Sequence, residues 1–188
     1  MRGSQPGESQ GGAYLIDLDA REARLVLESR DAGAGGATHG ASRGLRGIAF
    51  DGDIVYIASS DAVDAYTPDF RRVGSWRNAY LQQCHGIAVW ERRLFVASAG
   101  CDAILGFDLD AKVFDWGMQV VAQQFRLQVR PFDPREDDGP LMLDKLHLNA
   151  VHCTRGGMYV TGLKTGGNAA VQREDDPDGR RVAAGIAK

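Results

Sequence analysis

The segment from Arg46 to Trp76 is written a second time from His85 to Trp116, and this duplication restricts the folds open to the chain more than any other feature. Arg46-Gly47-Ile48-Ala49-Phe50, Ile54 to Ser59 and Asp61-Ala62-Val63 return as His85-Gly86-Ile87-Ala88-Val89, Leu94 to Ser98 and Asp102-Ala103-Ile104. The offset holds at 39 residues through Ser59 and Ser98, then becomes 41 after the extra pair Gly100-Cys101. An insertion confined to one copy belongs in a turn. A unit of roughly 40 residues holding four short apolar runs is the signature of a propeller blade.

Two partial copies flank the whole ones. Asn149-Ala150-Val151-His152-Cys153 leads to Met158-Tyr159-Val160-Thr161 with the ten-residue step that also separates Arg46 from Tyr56. Near the start, Ile16-Asp17-Leu18-Asp19-Ala20 matches Phe107-Asp108-Leu109-Asp110-Ala111, which lies late in a blade. The N-terminal part therefore supplies two outer strands, the middle two whole blades, and the last apolar stretch two inner strands. The runs are four to seven residues long, rich in Val, Ile, Tyr and Phe, and bounded by Gly, Asp and Pro, so they read as strands. Tyr56, Tyr66, Phe95, Phe107, Trp76 and Trp116 fall at equivalent positions or strand ends and are assigned to packing between blades.

The expected architecture is all-β: a propeller segment of about three four-stranded blades over residues 13–167, after a flexible stretch at 1–12 and before a charged, disordered tail at 168–188. That tail carries Arg173-Glu174-Asp175-Asp176 and no aromatic residue, a composition unable to bury enough apolar surface to order itself. A short helix near Val182 to Ala187 is the weaker alternative. Arg30 to Ser42, rich in Gly and Ala, reads as a flexible connection. Arg126 to Lys145, with three prolines and Glu136-Asp137-Asp138, reads as a long surface loop of the kind that covers a binding site or meets a partner. Propellers close with about four to eight blades. Three cannot form a ring, so the chain reads first as a fragment of a longer propeller; the alternatives are that two chains combine, or that the sheets remain an open wedge whose exposed blade edges invite pairing into a homo-oligomer.

Composition bounds the partners. A net charge of −3 and the lack of a basic run with interleaved aromatics argue against nucleic acid. No apolar stretch nears the roughly 20 residues of a membrane span, so no membrane role is expected. Cys84, Cys101 and Cys153 form no CxxC pair and leave an odd thiol, which suits the cytoplasm.

Loops that feed the first strand of each blade converge on the mouth of the central channel. The aligned positions there are Arg46, His85 and Asn149, with His147 two residues before the last. Alternation along a strand puts His147 and Asn149 on one side if the strand has already begun. Arg46 at such a mouth is suited to hold a carboxylate, sulfate or phosphate, or to pair with Asp51 or Asp61. His85, His147 and Asn149 are candidate ligands of a divalent metal ion, a set short of a carboxylate. Their plainer role is to satisfy backbone groups and water in a polar channel. Cys84 and Cys153 each adjoin a histidine, but neighbours on a strand point to opposite faces, so neither is served by its own neighbour as base; a cross-pair of Cys153 with His85 is the remaining option.

Arg46-Gly47-Ile48-Ala49-Phe50-Asp51-Gly52, Cys84-His85-Gly86-Ile87-Ala88, Leu105-Gly106-Phe107-Asp108-Leu109, Pro131-Phe132-Asp133-Pro134 and Leu146-His147-Leu148-Asn149-Ala150-Val151 together resemble an uncharacterised bacterial β-propeller family, a domain of unknown function. It is distantly similar to six-bladed propellers of the gluconolactonase and NHL type. The resemblance covers residues 11–167 and implies a fold more than an activity. In gluconolactonase-type enzymes acidic residues and an Asn hold the metal around the channel, and here only Asn149 fits that pattern. The expected function is a non-catalytic module that binds a small anionic ligand or a protein partner at the channel mouth. The alternatives are a metal-dependent, lactonase-like hydrolase and an inactive truncated propeller.

Overall fold

The computed structural model describes residues 10–30, 44–123 and 126–165. The connection expected at 30–42 and the tail at 168–188 lie almost wholly or wholly outside these residues. Everything described is strand, turn or irregular backbone, and no helix among the described residues is long and apolar enough to cross a membrane. Strands β1 (Gln10–Asp17) and β2 (Glu22–Arg30) form one hairpin, β1 starting inside the stretch expected to be flexible. A four-stranded antiparallel sheet follows in chain order: β3 (Ile48–Asp51), β4 (Ile54–Ala58), β5 (Ala62–Tyr66) and β6 (Arg72–Arg77). The next contains β7 (Cys84–Trp90), β8 (Arg93–Ser98), β9 (Ala103–Asp108), β10 (Val113–Gln123) and β11 (Arg126–Phe132). A last hairpin pairs β12 (Leu148–Thr154) with β13 (Gly157–Gly162). The result is an arc of propeller-like sheets with no closed ring among the described residues.

The fifth strand of the second sheet corrects the loop expected from Arg126. Residues 126–132 pair along β10, from Gln123↔Arg126 to Gly117↔Phe132. Pro131 sits on this edge strand, where a missing N–H breaks no ladder on the outer side. Only the part after Phe132 is irregular.

The middle strands β4, β5, β8 and β9 are buried on both faces, which is why they read as unbroken apolar runs instead of alternating ones. Along β8, Leu94 and Val96 enter a core with Tyr56 and Val63 of the preceding sheet, while Phe95 and Ala97 enter a second core with Val151, Met158 and Val160 of the following hairpin. A third cluster joins Val55 and Ile57 of β4 to Ala13 and Leu27 of the first hairpin. Trp76 lies 4.9 Å from Phe107 across the joint between sheets, as expected, whereas Phe95 meets Trp116 edge-on at 5.5 Å within the second sheet.

The sequence-equivalent turns are also built alike. Asp17 Oδ1 accepts the N–H groups of Asp19 and Ala20 at 3.0 and 2.9 Å, and Asp108 Oδ1 those of Asp110 and Ala111, both at 2.8 Å. The residue closing each turn, Arg21 or Lys112, has a left-handed φ of 57° or 59°. These aspartates are turn formers.

What sets the spacing of the sheets is the close approach of their inner strands. A Cβ at Gly47 would stand 2.4 Å from the carbonyl oxygen of His85, and one at Gly86 would stand 2.9 Å from that of Asn149. Both obstacles are backbone, which cannot swing aside. Gly47→Ala should therefore cost about 1–3 kcal/mol in urea unfolding, the range for an overpacked site. Unchanged stability would show that the inner strands are not held this tightly.

Candidate functional site

At the start of every inner strand the ladder is irregular. Arg46 and Gly47 both bond to Ala58, through Arg46 N–H to Ala58 O at 2.8 Å and Ala58 N–H to Gly47 O at 2.9 Å. The register shifts between Cys84 and Ile87, and again between Leu148 and Ala150. Bulges of this kind re-aim the side chain of the extra residue. Here they fall on Arg46, His85 and Asn149, the three aligned positions.

Arg46 and His85 meet. One guanidinium nitrogen lies 3.4 Å from Nδ1 and 3.5 Å from Nε2 of the ring. Near-equal distances to nitrogens on opposite ring edges place that atom over the ring face, since an in-plane position would collide with Cε1. The contact is thus of one guanidinium nitrogen with the ring face, not an aligned hydrogen bond to either nitrogen. His147 also approaches His85, edge-on, with ring centroids 5.1 Å apart. Its Nδ1 is 2.8 Å from Asp144 Oδ1, which orients the imidazole and leaves Nε2 as its outward nitrogen. Burial pushes the His85 pKa down, and the neighbouring Arg46 and His147 push it further, against a smaller opposing pull from Asp144.

His147 does not share a strand face with Asn149 as alternation suggested. β12 begins only at Leu148, and His147 has φ of 54°, so the chain turns through left-handed backbone just before the strand. The turn is held from below by Asp102, a buried residue. Its carboxylate accepts the N–H groups of Lys145 at 2.7 Å, Leu146 at 3.0 Å and His147 at 2.9 Å. Gly100 O accepts those of Leu143 and Asp144 at 2.9 and 3.2 Å. The Gly100-Cys101 insertion of the second copy thus has a use: it fastens the segment that carries Asp144 and His147. Earlier in the same segment, Tyr80 Oη donates to Glu136 O at 2.7 Å and accepts from Gly139 N–H at 2.8 Å.

Asp102 and Asp144 were absent from the candidate residues. The signal for Asp102 was its match to Asp61; that for Asp144 was its place three residues before His147, the two joined by a turn with left-handed backbone at both residues. Asn149 is exposed, and its Oδ1 accepts from the Thr161 hydroxyl at 3.0 Å. Asp51 and Asp61, the alternative partners considered for Arg46, pair with Arg92 and Arg77.

The proposed metal ligands find little support. Among the described residues, no three His, Cys, Asp or Glu side chains gather as an ion requires. The one carboxylate beside His85 and His147 is Asp144, already engaged by His147, and the amide oxygen of Asn149 is turned to Thr161. This donor set does not fit the carboxylate-rich centre of gluconolactonase-type enzymes.

The cysteines form no disulfide among the described residues. Cys84 and Cys101 are buried; desolvation drives the Cys84 thiol far above its ordinary range and the Cys101 thiol up to about 11. Both are poor nucleophiles. Cys153 packs against the second core and the adjoining His152 is exposed.

No protein-family model matches the chain, and no curated protein sequence matches it. Solved structures similar to it include the glutaminyl cyclase of Myxococcus xanthus, at 14% identity over 79% of this chain and 77% of that one, TM-score 0.39. BamB from Moraxella catarrhalis is 10% identical over 74% of this chain, TM-score 0.40, and the chain spans 47% of its length.

Two outcomes follow from this geometry. His85 has a lowered folded pKa, so folding favours its neutral form: the contribution is complete above the ordinary value of about 6.5 and is lost as pH falls through the folded value. Stability measured by urea unfolding should decline on acidification through that window, and Arg46→Met should move the His85 titration, followed by its Cε1–H resonance, back upward. A His85 titrating at or above the ordinary value overturns this. Removing the Asp102 carboxylate strands three donors, so Asp102→Ala should destabilise the chain by about 2–4 kcal/mol in the same unfolding measurement; a loss under about 0.5 kcal/mol would mean that water replaces it.

Proposed function

We propose that this propeller segment is a binding module that takes a small anionic ligand at the end of its inner strands where Arg46, His85 and His147 meet. One observation carries the reading: three consecutive sheets each deliver a nitrogen-rich side chain to that end, with one guanidinium nitrogen of Arg46 against the His85 ring. A guanidinium has five N–H donors, so this contact leaves others for the paired oxygens of a carboxylate, phosphate or sulfate. His85, biased toward the neutral form, offers one N–H and gains a proton when an anion arrives. Asn149 supports the same choice, because its amide oxygen is occupied by Thr161 and its NH₂ is the group left to donate.

A metal-dependent hydrolase of the gluconolactonase kind is the weaker reading on the donor set described above. The Asp144–His147 pair, in contrast, serves an anion site directly, since the carboxylate at Nδ1 fixes the ring and leaves Nε2 to face a ligand.

Calorimetric titration with inorganic phosphate, sulfate and citrate tests the proposal. Saturable binding of at least one of them is expected. Arg46→Ala should weaken it by about tenfold or more, the worth of a charge-assisted hydrogen bond, and Arg46→Lys should restore only part, since an ammonium lacks the fork. No saturable binding of any of the three, or equal affinity in Arg46→Ala, would overturn it.

A further inference from the structure

Val73, Val113 and Leu141 to Leu143 are exposed on outer strands and on the segment after β11. Other exposed apolar residues sit where a neighbouring sheet is missing, and their equivalents in the complete sheets show what should cover them. Tyr14, Ile16 and Leu18 of the first hairpin are 62%, 62% and 84% exposed. At the offset of 91 residues that aligns Asp17 with Asp108, they correspond to Leu105, Phe107 and Leu109, each 1% exposed or less, because the preceding sheet covers them. At the other end Tyr159 is 44% exposed, whereas Phe95, in the same position of β8, is 3% exposed under the following hairpin.

The two ends are also complementary in the strands they lack. β12 and β13 correspond to β7 and β8, the inner half of a sheet, and β1 and β2 to β9 and β10, its outer half. Within the described chain these halves remain two separate sheets, so β13 and β1 each present one unpaired edge. The half blades expected to count together as a third sheet do not meet in one chain, since two whole sheets stand between them in the arc.

We propose that a second copy of this chain supplies the missing half at each end, with β13 of one protomer pairing antiparallel to β1 of its partner. The register is dictated by that of β8 with β9, where Phe95 lies opposite Gly106 and Arg93 opposite Asp108. Carried over, Tyr159 lies opposite the partner's Leu15 and Gly157 opposite the partner's Asp17. Made at both ends, the joint closes a two-fold ring of four whole and two composite sheets, within the range of about four to eight at which propellers close. Ile48 and Phe50, exposed on the inner strand beside the first hairpin, then gain the cover that their equivalents Ile87 and Val89 have. The joint brings Asn149 of one protomer beside Arg46 of the other, in the order of inner strands that already sets Arg46 beside His85. Ala150 has a methyl where Gly47 and Gly86 have none, so the inner strands stand slightly wider there. This inference does not depend on the anion reading.

The test uses the full chain at micromolar concentration. Light scattering on a sizing column should give twice the chain mass, with a melting temperature that rises with concentration. Leu18→Asp, which alters an exposed site of a lone chain, should weaken dimerisation at least tenfold. The double variant Leu15→Cys/Tyr159→Cys, under mild oxidation, should run as a covalent dimer, and neither single variant should. A monomer, an open ladder of higher species, a dimer indifferent to Leu18→Asp, or a disulfide within one chain would each overturn the proposal; the cysteine pair decides the register even if the aspartate variant misfolds.

Discussion

The arrangement rests on how closely the inner strands approach one another. Two glycines at the same place in successive copies, Gly47 and Gly86, let one backbone come against the next at distances no side chain permits. Because the contact is backbone on backbone, it fixes the separation of the sheets at the inner end, while Tyr56, Phe95, Phe107 and Trp76 fill the wider space further out. Small residues inside and aromatic ones outside make the sheets fan, and a fan of sheets is a propeller.

The same packing creates the candidate site. Each inner strand opens on a bulge, and the bulge residue is turned out of the pleat toward the common end. Arg46, His85 and Asn149 occupy those places for a geometric reason, whatever chemistry they perform. His147 joins them by a different route. A buried carboxylate, Asp102, gathers three successive N–H groups of the incoming segment and forces the left-handed turn that aims His147 at His85. Satisfying that carboxylate and positioning the imidazole are one event, so the charge buried at Asp102 is compensated by the element it organises.

Polar chemistry thus gathers at one end of the inner strands, while apolar residues that are core in the complete sheets stand bare at the two ends of the arc. Tyr14, Ile16 and Leu18 on one side and Tyr159 on the other are core residues by sequence and surface residues by position. A repeat architecture passes its burial from each unit to the next, so every terminal unit must be capped, closed or completed. The two hairpins here carry the inner and outer halves of one sheet, which makes completion by a second copy geometrically direct.

Much of the fold was legible in the residues because the chain states it twice. Repetition located the strands and the turns, and the change of offset placed Gly100-Cys101 in a turn. Arg46 and His85 were brought together by the same alignment. β11 was not legible, since Pro131 and the surrounding charges resemble a loop and only pairing along β10 makes them an edge strand. Asp102 beneath His147 was hidden for a like reason: a hydrogen bond across 45 residues leaves no local pattern. Local composition and period decided which segments become strands, because those depend on neighbours two or four positions away. Tertiary structure alone decided which polar groups meet and which apolar faces stay bare, because both depend on what stands in the adjoining sheet.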